Sequence, residues 1–143
     1  MKRAKLTVGV VVGCAVLMLV TGCATSGGKG PTDEELIDAL TEECMAALEA
    51  QDVDKLMTFF SEDFTSYEFA DKDAGRAFIE DAKMSGFLDG IEVDLSQKEQ
   101  IIEGNKASGG PVILNGSFGS ISISLDGVKE EGGWKVVNMD VQM

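Results

Sequence analysis

The chain has 143 residues, a net charge of −13 from 25 acidic and 12 basic side chains, and no histidine. That length holds one modest domain. The acidity excludes nucleic acid as an expected partner, because such binding relies on cationic side chains displacing counterions. The lack of histidine excludes Ser-His-Asp and Cys-His pairs and any histidine-ligated metal.

Lys2, Arg3 and Lys5 precede an apolar stretch at residues 6–20, the order of a secretory signal. Fifteen residues are too few for a lasting transmembrane helix, which takes about 20. Val20-Thr21-Gly22-Cys23 resembles the bacterial lipoprotein cleavage motif. The resemblance implies removal of residues 1–22, a lipidated Cys23 as the new first residue, and attachment to the outer face of a bacterial membrane. Ala24, where an aspartate would resemble the inner-membrane retention signal, leans toward the outer membrane if the organism has one. Stable anchoring takes two lipid signals, which a multiply acylated cysteine supplies. Loss of the signal leaves 9 basic against 25 acidic residues, a net charge of −16, so anionic headgroups repel the domain that the lipid holds near them. Cysteine usage agrees: Cys14 leaves, Cys23 carries lipid, and Cys44 remains alone, without an intramolecular disulfide partner.

Residues 23–31, the lipidated cysteine and a glycine-containing stretch, form a flexible linker, and the folded domain is expected over residues 32–143. Thr32 with Glu35 makes a capping box, with Asp33 and Glu34 favourable at the positive end of the helix dipole. Leu36, Leu40, Cys44, Ala47 and Leu48 predict a buried helical face, on which Cys44 is a small hydrophobe. Asp52 caps a second helix over residues 53–60, and "FTSYEF" over residues 64–69 reads as a strand. Asp71 or Asp73 caps a third helix, buried through Ala74, Phe78, Ala82 and Met84. From Ile91 the period becomes two, with turns at Gly104-Asn105, Gly109-Gly110-Pro111, Asn115-Gly116, Asp126-Gly127 and Gly132-Gly133. About four antiparallel strands plus the early one give an α+β fold. Val112-Ile113-Leu114 and Val136-Val137 are apolar on both faces; either a second subunit, making a homodimer, or a helix and a rim covers them.

"AALEAQDVDKLMTFFSEDF", "DKDAGRAFIEDA" and the terminal "GGWKVVNMDV" together resemble the nuclear transport factor 2-like superfamily, including SnoaL-like and ketosteroid isomerase-like proteins. The resemblance covers residues 36–141. It implies three N-terminal helices packed in a strongly curved, mostly antiparallel sheet: a cystatin-like cone with an apolar pocket at its mouth. The superfamily hosts enzymes and non-enzymes. Matching the isomerase pattern places a carboxylate base at Glu68, with Tyr67 as a candidate donor, but successive strand residues face opposite ways. The family's oxyanion tyrosine falls at Cys44, which is no comparable donor. The catalytic set is therefore incomplete. The expectation is a lipid-anchored envelope protein with a non-enzymatic domain that binds a small apolar ligand or another envelope protein. An acid-base enzyme of isomerase, dehydratase or cyclase type using Glu68 is the alternative.

No cofactor or metal site is expected. "DKDAGRAFIED" has acids suited to a calcium loop but lacks the central glycine and the twelfth-position acid, so Asp71 and Asp73 read as caps. Asn115-Gly116-Ser117 reads as a turn, and Trp134 as core, with pocket lining the alternative.

Overall fold

The computed structural model describes residues 30–143; the signal, Cys23 and residues 24–29 of the linker lie outside the described residues. Three helices, α1 (Asp33–Glu49), α2 (Val53–Thr58) and α3 (Lys72–Met84), accompany six strands. The strands are β1 (Phe60–Ser66), β2 (Glu92–Asp94), β3 (Glu99–Glu103), β4 (Lys106–Gly116), β5 (Gly119–Glu130) and β6 (Gly133–Gln142). The sheet runs β1-β6-β5-β4, with β2 and β3 both pairing with β4; only β1 and β6 are parallel. This is the α+β, curved and mostly antiparallel arrangement anticipated, with six strands where about five were expected.

Helix α1 begins as expected: Thr32 Oγ1 accepts from the Glu35 N–H at 3.2 Å, and Glu35 Oε2 accepts from the Thr32 N–H at 2.8 Å. Its buried line keeps Cys44, Ala47 and Leu48 as predicted but differs over the first turns. Leu36 is exposed, while Ile37, Thr41, Cys44, Met45 and Leu48 are buried. The polar Thr41 fits this face because its hydroxyl donates to the Ile37 carbonyl at 2.8 Å and so is not left unpaired.

Strand pairing ends α2 early. Phe59 O accepts from the Val136 N–H at 2.9 Å, so the chain is committed to β1 where periodicity had continued the helix through Phe60. The predicted strand at residues 64–69 accordingly begins at Phe60 and stops at Ser66. Ser66 Oγ then accepts from the N–H groups of Glu68 and Phe69, folding residues 67–69 into a bend. Phe60 and Phe64 pack edge to face in the core, with centroids 4.9 Å apart. On α3, Asp71 is the cap, accepting from the Ala74 N–H at 2.8 Å. Ala82 is buried there, whereas Ala74, Phe78 and Met84, predicted on the same face, are exposed.

Two predicted turns are instead irregularities inside long strands. The β4–β5 register shifts between Gly109 and Val112, and the β5–β6 register shifts between Asp126 and Gly127. Glycine permits a strand to bulge and bend without ending, and these bends curve the sheet. Residues 99–103, unassigned by periodicity, form β3 through a hairpin at Gly104-Asn105, with Gly104 at φ +64° as a type II′ turn requires.

Val112 and Leu114 point into the core with Val136, while Ile113 and Val137, on the outer face, are half-buried. Helices and the sheet's own side chains thus cover the inner half of the doubly apolar strands. Phe64 is 2% exposed at the centre of the cluster. Phe64→Ala is expected to lower unfolding free energy by about 3–5 kcal/mol in urea titration; a loss under about 1 kcal/mol would contradict this packing.

Candidate functional site

The concave face of β4, β5 and β6 meets α1, and what remains between them is a void of about 30 Å³. Ile37, Leu40, Cys44, Val112, Trp134 and Val136 are among its lining residues. That volume holds about one water, whereas a small-molecule site needs roughly 300–1,000 Å³. The lining is apolar, so the void has no reason to be wet.

Two polar closures hold α1 over this interior. Lys98 lines the void and places its Nζ 2.6 Å from Asp38 Oδ1, with its side chain only 10% exposed. Its stem covers apolar surface while the ammonium reaches a carboxylate. At the other closure, Asp33 Oδ1 accepts from Lys129 Nζ at 2.6 Å and from the indole N–H of Trp134 at 3.1 Å. One carboxylate in the first turn of α1 therefore binds the β5–β6 hairpin. Hydrogen bonds from Lys129 and then Trp134 hold Asp33 below the ordinary carboxylate range. Trp134 proves to be both buried and void-lining, so its two readings merge.

The candidate catalytic residues do not converge on this space. Tyr67 is 96% exposed, Glu68 is exposed beside it, and neither lines the void. Cys44 lines it, but burial pushes its thiol up to about 12, which leaves it protonated and inert at neutral pH. Asp71 acts as a helix cap, and no cluster of three metal-ligating side chains occurs among the described residues. No helix among them is long and apolar enough to cross a membrane.

Two surface grooves were invisible to sequence periodicity because distant segments form them. One, of about 550 Å³, runs between the start of α2 and α3 past Arg76 and Lys83. Both cations are engaged: Arg76 with Asp54 and with Glu80, the latter at 2.9 Å, and Lys83 with the Gln51 carbonyl at 2.8 Å. The other, of about 320 Å³, lies on the outer sheet face between Ile101, Lys106, Val128 and Val137.

No protein-family model matches the chain, and no curated protein matches it in sequence. Solved structures do match in fold. A nuclear transport factor 2-like protein of unknown function from Pseudomonas putida superposes with a TM-score of 0.65 at 18% identity, covering 79% of this chain and 89% of that one. A protein with a cystatin-like fold from Caulobacter vibrioides gives 0.65 at 14% identity, over 77% and 88%. A Bdellovibrio bacteriovorus protein gives 0.65 at 17% identity over 74% of this chain, which spans only 40% of that protein's length. The domain therefore has the cystatin-like, nuclear transport factor 2-like fold; identities this low carry the fold alone.

Cys44 is expected to resist alkylation by iodoacetamide in the folded chain and to react fully in guanidinium, as read by peptide mass spectrometry; rapid native labelling would contradict its burial. Asp33 supplies the pH test. Because its folded-state pKa is depressed, its stabilisation is present above the unfolded value of about 3.9 and is lost as pH falls through the lower folded value. The urea midpoint of Asp33→Asn should thus lie below that of the unaltered chain at pH 7, with the gap closing below about pH 4. A gap independent of pH would refute the Asp33 closure.

Proposed function

We propose that this is a lipid-anchored protein of the bacterial envelope whose cone is a solid scaffold, presenting its outer surface to another protein outside the cytoplasm. The observation that carries the docking reading is the filled interior: about 30 Å³ leaves a small apolar ligand no room inside the cone. The lipobox at residues 20–23 supports anchoring through Cys23, to the outer membrane where the organism has one. A tether of residues 24–30 has a typical reach of roughly 15 Å, which keeps the domain beside the membrane. Its charge keeps the body of the domain off anionic headgroups, leaving the surface available to proteins.

The acid-base alternative is not adopted. A general base acts within hydrogen-bond reach of a bound substrate, and Glu68 is exposed and does not line the interior void.

Cys23→Ser should abolish incorporation of an alkyne-tagged palmitate and move the chain from the membrane to the soluble fraction. Retention of both label and membrane association would overturn the anchor. For docking, chemical crosslinking in intact cells should convert the lipidated chain into a discrete adduct heavier than the monomer. A chain that remains monomeric under efficient crosslinking would overturn that part.

A further inference from the structure

A sheet that does not close has edges, and each edge presents unpaired backbone groups that must be blunted or used. Here the edges differ. On β1, the register against β6 is broken between Phe60 and Thr65, and such an irregularity twists an edge away from a new partner. On β2, Glu49 Oε1 accepts from the Val93 N–H at 2.9 Å, so a side chain of α1 occupies that edge donor. On β3, neither a register break nor a side chain bonded to an edge N–H occurs among the described residues, and the exposed acids Glu99 and Glu103 are its protection against a second copy.

The β3–β4 hairpin fixes which groups are left over. Its two-residue turn makes Glu103 and Lys106 the closing hydrogen-bonded pair, and alternation then pairs Ile101 with Ser108 and Glu99 with Gly110. The N–H and C=O groups of Gln100 and Ile102 therefore point away from β4, along the open edge. Side chains supply the second pattern: Glu99, Ile101 and Glu103 are exposed on the outer face, an apolar residue between two acids. A groove continues from Ile101 to Val128 and Val137.

We infer that the β3 edge is a docking site for an extended segment of another protein, added as a further strand and carrying Lys or Arg on either side of an aliphatic residue. This rests on the protein-docking reading above. Charge complementarity selects the occupant. Antiparallel pairing of two β3 strands about Ile101 would set Glu99 against Glu103 of the second copy, twice, and parallel in-register pairing would set each acid against itself. Like charges directly opposite are destabilising, so the same residues that discourage self-association favour a cationic strand. Backbone hydrogen bonds supply attachment, and the acid-apolar-acid order supplies selectivity.

The test uses the full ¹⁵N-labelled chain in a non-ionic detergent, titrated with the synthetic peptide Thr-Lys-Thr-Val-Thr-Lys-Thr. The amides of Gln100 and Ile102 should show the largest saturable shifts. N-methylation of the peptide at alternate residues keeps its charge but removes the strand's donors, and one of the two methylation registers should weaken binding at least about tenfold. The doubly reversed chain, Glu99→Lys with Glu103→Lys, should bind the lysine peptide at least about tenfold more weakly and prefer the same peptide with Glu for Lys. Equal binding of all methylated and unmethylated peptides would overturn strand addition in favour of diffuse charge attraction. Absence of saturable shifts, or Gln100 and Ile102 amides already protected by residues 24–29 or by a second copy, would overturn it too. The crosslinking result stands apart: a discrete adduct without peptide binding overturns the β3 site alone, and a monomer in cells despite peptide binding overturns the docking reading.

Discussion

The fit of α1 against the concave face of β4, β5 and β6 is the constraint on which the rest depends. A sheet bent at Gly109 and at Asp126-Gly127 must be filled from one side, and α1 fills it with Ile37, Leu40, Cys44 and Leu48. Val112 is 1% exposed beneath this helix. Each buried aliphatic side chain contributes roughly 1.5–3 kcal/mol, so the apolar packing dominates over the two polar closures at Asp33 and Lys98. The closures fix where α1 lies along the sheet. Asp33 engages the β5–β6 hairpin, Asp38 receives Lys98, and Glu49 meets β2, so the helix is held at its start, its middle and its end.

The interior is occupied by the chain's own side chains, and among the described residues neither Glu68 nor Tyr67 lines the void that remains. What the described residues offer is surface: a sheet with an open β3 edge that carries outward-facing acids at Glu99 and Glu103. A net charge of −13 makes a cationic protein segment an electrostatically favourable neighbour.

Much of this was legible in the sequence, and the parts that were not share a cause. The α1 capping box needs only Thr32 and Glu35, and the alternation of Ile121, Ile123 and Leu125 needs only β5 itself; both are local signals and both hold. Whether Phe59 and Phe60 extend a helix or start a strand is decided by Val136, some 76 residues later in the chain. Leu36 and Ile37 are adjacent and both aliphatic, so only the position of the sheet determines which is buried. Gly109-Gly110 and Asp126-Gly127 carry turn chemistry, but a glycine pair that permits a turn also permits a bulge, and pairing across β4, β5 and β6 selects the bulge. The Lys98–Asp38 and Lys129–Asp33 pairs join residues 60 and 96 positions apart, beyond any periodicity.

The central claim is that the interior of the cone is occupied by the chain's own core. Native mass spectrometry of the chain purified from producing cells, compared with its denatured mass, tests this most directly. The account predicts the same mass in both states: the polypeptide from Cys23 onward plus its covalent lipid. A non-covalent small molecule present in the native ion and released on unfolding would contradict it.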